Sequence, residues 1–420
     1  MLLHTMYNVY TFYYFVNINE VVIRTNGDQI VLNVYAPNKD VQFYGFAKEV
    51  NVLAAAPNSL HVHGSINTLS VEKGHVQVEE TGIVFNLAEV ATEGASVTNN
   101  GYIAENESGA TVEGNQPSDV YQIATLGQLE SFRDAVNAGN DFADLTVKLT
   151  KDITLRDGWK PIGEGSRNIV DAGSQLKGNF FKGTFDGQNH IISNLTNKGF
   201  IPTQSRYDTD GTYAYGLFAL VGSSSVIKNV TLKDVNINLE KGDSVAAFVG
   251  FCSGSTTLQY LTVENGSIKG VDGIGGILGR TYASENRGEA VTFTVKLENC
   301  KNNAAIEATR AAGGKAAGIV GMVGDISKAP YQGKIDLTIK TCVNTGAVKV
   351  SNEASSQAAG ILGYVTNTRS FTDNQKTDSM YKFYNDCTNS GELDAGEHGL
   401  TFDLYDNNPA SHVKVIPANN

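Results

Sequence analysis

Five tetrapeptides of one shape recur along the chain: Gly216-Leu217-Phe218-Ala219, Ala247-Phe248-Val249-Gly250, Gly276-Ile277-Leu278-Gly279, Gly318-Ile319-Val320-Gly321 and Gly360-Ile361-Leu362-Gly363. Successive copies stand 31, 29, 42 and 42 residues apart. Between the later copies runs a second pattern, cysteine, asparagine, a small residue and an apolar one at alternate positions. It occurs as Cys300, Asn302, Ala304, Ile306; as Cys342, Asn344, Gly346, Val348; and as Cys387, Asn389, Gly391, Leu393. A unit of this size cannot bury its own apolar face, so repeats must stack on one another. Val291, Phe293, Val295 and Leu297 alternate with polar residues, as do Ile335, Leu337 and Ile339, the period of a strand with one buried face. The reading is a parallel β-helix with three short strands per circuit. Cys300, Cys342 and Cys387 should form one interior ladder, and Ile277, Ile319 and Ile361 another.

Composition supports this. The chain has 44 glycines, 8 prolines, 18 % charged residues and 41 % hydrophobic residues. Counting the sequence gives 39 asparagines. Glycine and asparagine tolerate the left-handed backbone that tight turns need, and the apolar content suffices for a core. With 32 basic against 44 acidic side chains, the net charge of −12 argues against nucleic acid and anionic membrane surfaces as partners. No run approaches 18 consecutive apolar residues, so no membrane-inserted helix is expected.

The sequence divides into four parts. Residues 1–115 are β-rich, with short strands about 8–12 residues apart, a possible truncated β-solenoid. The aromatic start, Met1 to Val16, lacks a basic region and a cleavage site and reads as a strand already in progress, which suggests a start inside a longer gene. Glu105 to Pro117 reads as a polar linker. Residues 116–158 form a lead-in, with one amphipathic helix near 125–137. Thr125 and Gln128 make a capping box, and Leu126, Leu129, Phe132 and Val136 recur at helical spacing to cover an open stack end. The repeat region spans 159–395, and 396–420 is a C-terminal tail.

Three stretches then carry a resemblance: Trp159-Lys160-Pro161-Ile162-Gly163; Phe181-Lys182-Gly183-Thr184-Phe185-Asp186-Gly187-Gln188-Asn189-His190; and Tyr215-Gly216-Leu217-Phe218. Their order resembles the GLUG-motif repeats of large secreted and surface-displayed bacterial proteins, over about residues 119–395. The resemblance implies an all-β, right-handed parallel β-helix with adhesin-like or scaffold roles. It defines no catalytic residues.

Candidate sites are few. The three cysteines fit a buried free-thiol ladder better than a metal site or a disulfide. Ladder neighbours stand about 4.8 Å apart, so joining their sulfurs requires movement of the chain. His61, His63 and His75 have no partner set at zinc-ligand spacing, and His190 fixes a turn. Asp208-Thr209-Asp210-Gly211 opens like a calcium loop, yet its twelfth position is Ala219 rather than an acid. No metal or cofactor is expected. Asp234, Glu264, Glu298 and Asp336 do not gather as a glycosidase pair would, so the chain reads as a non-enzyme. Each 42-residue coil carries an insertion at one place: Arg280 to Glu289, Asp325 to Gly333 and Thr366 to Asp378. Stacking puts all three on one corner, where repeat proteins commonly bind ligands. Arg280, Tyr282, Arg287, Lys328, Tyr331, Arg369 and Phe371 are the candidate binding residues, because aromatic faces with interspersed donors suit sugars or a protein surface. The expected function is an extracellular or cell-surface binding module for glycans or for proteins of host or neighbouring cells, within a larger surface protein. A passive stalk and a carbohydrate-active β-helix enzyme are the alternatives.

Overall fold

The computed structural model describes residues 2–6, 9–13, 20–26, 30–55, 60–165, 178–200, 213–283, 292–325, 334–353, 355–367, 380–384, 386–404 and 413–416. It is an all-β, parallel, solenoid-like fold with one helix among the described residues. Two compact units divide it, Met1–Val147 and Lys148–Asn420.

In the first unit the strand period of two delivers every second side chain to one core. Val41, Leu60, Val76, Val97 and Val112 form one in-register column, and Leu32, Val50, Leu69 and Leu87 form another. All are buried. The stretch expected to be a linker instead contributes a further strand, Val112–Gly114, parallel to Ala95–Asn99. Its one aliphatic residue, Val112, completes the valine column. The aromatic start forms two antiparallel strands, Leu2–Met6 and Val9–Tyr13.

The helix, α1 (Leu126–Asn137), starts as expected from Thr125 with a reciprocal capping box to Gln128. Leu129, Phe132, Ala135 and Val136 are its buried residues, whereas Leu126 is only partly covered. It belongs to the first unit and packs against that unit's strands. Gln128 Nε2 donates to the Glu80 carbonyl, 3.4 Å, and Asn140 Nδ2 to Asn67 Oδ1, 3.2 Å. The cause is aromatic: Phe85 meets Phe142 edge-on at 5.1 Å, and Phe142 meets Phe132 edge-on at 4.9 Å.

In the second unit each complete circuit visits four parallel sheets, one more than expected. The circuit Ser225–Lys233, Val235–Asn238, Gly242–Val245, Val249–Cys252 is followed by Thr256–Val263, which pairs with the first of these strands. The extra corner arises where the Gly-Ile step bends the chain. A Cβ on Gly318 would lie 2.1 Å from Asn344 Cγ and 2.3 Å from the Gly360 carbonyl oxygen, so only glycine fits there. Cys300, Cys342 and Cys387 are buried free thiols in one column, and Ile277, Ile319 and Ile361 are fully buried. The bend expected at the Cys-Asn-Gly step falls one residue before the cysteine in two coils. There Asn299 and Thr341 take φ of 56° and 52°, as Asn229 and Tyr260 do (55° and 53°) at the matching bends of earlier coils.

Asn302, Asn344 and Asn389 form a second interior ladder beside the thiols. Asn302 Nδ2 donates to Asn344 Oδ1, 2.9 Å, and Asn344 Nδ2 to Asn389 Oδ1, 2.8 Å. Each amide also donates to the carbonyl two residues on, at Ala304, Gly346 and Gly391. Buried amides thus find partners both within their own coil and in the next.

Candidate functional site

The insertions leave and return in register. Strands Leu278–Ala283, Val320–Asp325 and Leu362–Asn367 pair so that Ala283, Asp325 and Asn367 end one column. On the return side Thr292 pairs with Lys334, and Asp336 with Met380. Three consecutive coils therefore open at the same edge. The two compact coils close that edge with three small residues each, Gly222, Ser223 and Ser224 between Val221 and Ser225, and Ser253, Gly254 and Ser255 between Cys252 and Thr256.

Of the expected binding residues, Arg280 is described in full, and it does not face a ligand. Its side chain is 1 % exposed, with Nη2 2.8 Å from Asp243 Oδ1 and 3.2 Å from Asp272 Oδ2. The physical reason is register. Asp243 and Asp272 are neighbours across two coils, and their stacked carboxylates draw the guanidinium inward. On its own sheet Arg280 stands between Phe251 and Met322. Arg310 Nη1 reaches Asp272 Oδ2 at 2.9 Å, and the Lys315 amide donates to Asp272 Oδ1 at 2.9 Å. The Lys315 ammonium bonds the Ser355 carbonyl and lies 4.8 Å from the Tyr364 ring centroid. The arrangement is a mostly buried ion cluster, with Arg310 as its exposed member. The sequence carried one trace of it, two Asp-Ser and Asp-Gly steps 29 residues apart, matching the compact coil length.

The Tyr282 backbone pairs with Gly324; its side chain, and Arg287, Lys328, Tyr331, Arg369 and Phe371, lie outside the described residues, as do Asp208 to Gly211. The histidines of the first unit hold separate partners. His61 Nδ1 lies 2.7 Å from Glu79, His63 Nε2 2.7 Å from Gln42 Oε1, and His75 Nδ1 2.8 Å from Ser96 Oγ. His63 also stacks on Tyr44 at 4.6 Å, and burial holds its pKa below the ordinary value, with Glu79 opposing. His190 bonds Asp152, 2.9 Å, beside the bend it was expected to fix. Glu298 accepts from Gln259, and Glu264 faces Lys233.

The remaining sheet face is electrically self-contained. Asn238, Lys269, Glu307, Lys349 and Asp394 form one column. Lys269 pairs with Glu307 at 2.8 Å, and Lys349 with Asp394 at 3.2 Å. Among the described residues no helix is long and apolar enough to cross a membrane.

No family model matches the chain. A stretch of 165 residues, 39 % of this chain, is 29 % identical to halomucin of Haloquadratum walsbyi, of which it spans 2 %. A solved structure from Bacteroides ovatus, described as a candidate immunoglobulin A1 protease, superposes with a TM-score of 0.39 at 17 % identity. That superposition covers 70 % of this chain and 84 % of the other.

Proposed function

We propose that the chain is a non-catalytic, secreted or surface-displayed binding module of the GLUG-repeat type, working without a cofactor as part of a larger protein. Its coils wind right-handedly, the hand that parallel crossovers take. One observation carries the reading: the roots of three successive insertions are in register at one edge of the coils. Insertions that merely decorate loops need not recur at one place in consecutive coils. The insertions hold aromatic and cationic residues, Arg287, Lys328, Tyr331, Arg369 and Phe371, suited to sugar rings or a protein surface. The stretch shared with halomucin points toward the same extracellular setting.

A passive spacer is the second reading, favoured by the self-neutralised Lys269–Asp394 column, which offers a partner little unpaired charge. Glycan-array and host-matrix binding of the full chain separates them, compared with a variant whose insertions are cut to the Ser253-Gly254-Ser255 length. Binding by the full chain that disappears in a folded trimmed chain supports the module. Equal binding by both moves the site elsewhere, and no binding by either establishes the spacer. Turnover of a bound polysaccharide over time would overturn the non-catalytic assignment.

A further inference from the structure

The thiol column of Cys300, Cys342 and Cys387 has no role in the reading above, yet it gathers three nucleophiles in one interior row. The Cys342 thiol touches both neighbours. The Cys342 amide donates to Cys387 Sγ at 3.4 Å, which sets that sulfur directly over the Cys342 backbone. Cys252 stands apart on another sheet, its thiol bonded to Thr256 Oγ1 at 3.0 Å. We propose that Cys342 and Cys387 are a disulfide-forming pair, closed by a small-molecule disulfide such as oxidised glutathione while the coils are stacking. The site is independent of what the insertions bind.

The chain movement expected from the ladder spacing is not needed, because the backbone spacing itself permits the bond. Paired parallel strands stand about 4.8 Å apart, inside the roughly 4.4–6.8 Å range between α-carbons of cystines. That is the short end of the range, so the two sulfurs must turn toward each other and the product is strained. Strained disulfides are the more readily reduced ones. The result is a redox-responsive link rather than an inert staple.

Cys342 is indispensable because it alone touches two thiols. All three thiols are directed at main-chain carbonyls, Cys300 at Leu258 and Glu298, Cys342 at Leu297 and Lys340, and Cys387 at Ile339. Cys387 is the preferred mate on the ground of access, since its sulfur lies on the Cys342 amide at the more open side of the column. It is the least enclosed of the three, 3 % exposed against 0 % for the others. In the chemistry, one cysteine thiolate attacks the reagent disulfide and releases a small thiol, leaving a mixed disulfide. The second thiolate displaces the remaining small thiol and forms the Sγ–Sγ bond. The two protons given up by the protein thiols end on the two released small thiolates, so the protein pair is oxidised and one reagent disulfide becomes two thiols. Burial pushes the Cys342 thiol up in the finished fold, and contact with Cys300 adds to this. The thiolate is scarce there, which places the reaction before the coils close.

The full chain, unfolded in urea under reductant, is refolded into a glutathione buffer poised as in an oxidising compartment. Refolding is followed by circular dichroism, and the monomer is then blocked, digested without reduction and mapped by mass spectrometry. The expected result is a Cys342–Cys387 cross-linked peptide, two hydrogens lighter than its parts, in most of the folded monomer. Cys252 and Cys300 should be alkylated. Cys300→Ala should keep the link. Four alkylated cysteines in folded wild-type monomer, or a dominant Cys300–Cys342 link, overturn the proposal. This readout on the wild-type chain stands whether or not Cys342→Ala, expected to leave no internal link, folds.

Discussion

Arg280→Met tests the buried ion cluster. Methionine is the residue next to Arg280 in the same column, at Met322, so the substitution supplies an apolar side chain of similar reach. What it removes is the positive partner of Asp243 and Asp272, whose side chains are 5 % and 4 % exposed. Breaking a buried pair from one side costs about 3–5 kcal/mol, because the remaining charge stays out of water. Asp272 keeps Arg310 and the Lys315 amide, so the lower end, about 3 kcal/mol, is expected. With a urea slope of about 3 kcal/mol/M this moves the unfolding midpoint by about 1 M. The pH dependence identifies the cause. Stranded buried carboxylates take up protons more readily folded than unfolded, so the relief is complete below the unfolded carboxylate range near pH 4 and is lost as pH rises. The cost should therefore be largest at pH 7.5 and clearly smaller at pH 5, and Asp243→Asn added to the variant should recover part of it. The assay is urea unfolding followed by circular dichroism at both pH values. A loss within about 0.5 kcal/mol, the range of surface substitutions, or one equal at both pH values, refutes the argument.

Two further substitutions probe the remaining interior devices. Phe132→Asp places a carboxylate where Phe132 now meets Phe142 edge-on, and should cost about 3 kcal/mol or more; a melting temperature unchanged from wild type would refute the packing of α1. Asn344→Ala removes the amide that donates to the Gly346 carbonyl and to Asn389 and accepts from Asn302. It should cost about 2–3 kcal/mol in urea unfolding, and a smaller loss than that of an exposed asparagine such as Asn265 would show that the ladder contributes nothing.

Periodicity made the architecture legible. The 42-residue spacing of Cys300 and Cys342, and of Ile277, Ile319 and Ile361, already requires each set to share a column, because in-register stacking repeats every side-chain direction. The count of strands per circuit was less visible. A strand as short as Lys315–Ala317 has no alternation to read, and only the glycine close to Asn344 divides it from the next. The target of α1 was hidden for another reason: helical spacing shows which face is buried, but it does not name Phe85 and Phe142 as the surface that receives it.

The site shows where column logic stops. Register predicts that insertions rooted at Ala283, Asp325 and Asn367 share an edge, and they do. It does not predict the direction of a residue without a repeat equivalent. Arg280 follows a Gly-Ile-Leu-Gly step whose counterparts carry Phe251, Met322 and Tyr364, so its position reads as one among apolar residues, and its charge suggests an exit to solvent. The charge is instead met by Asp243 and Asp272, each unremarkable alone and separated by the length of one compact coil. A cation at an otherwise apolar column position, with acids one coil apart on the facing strand, marks an internal ion pair rather than a binding surface.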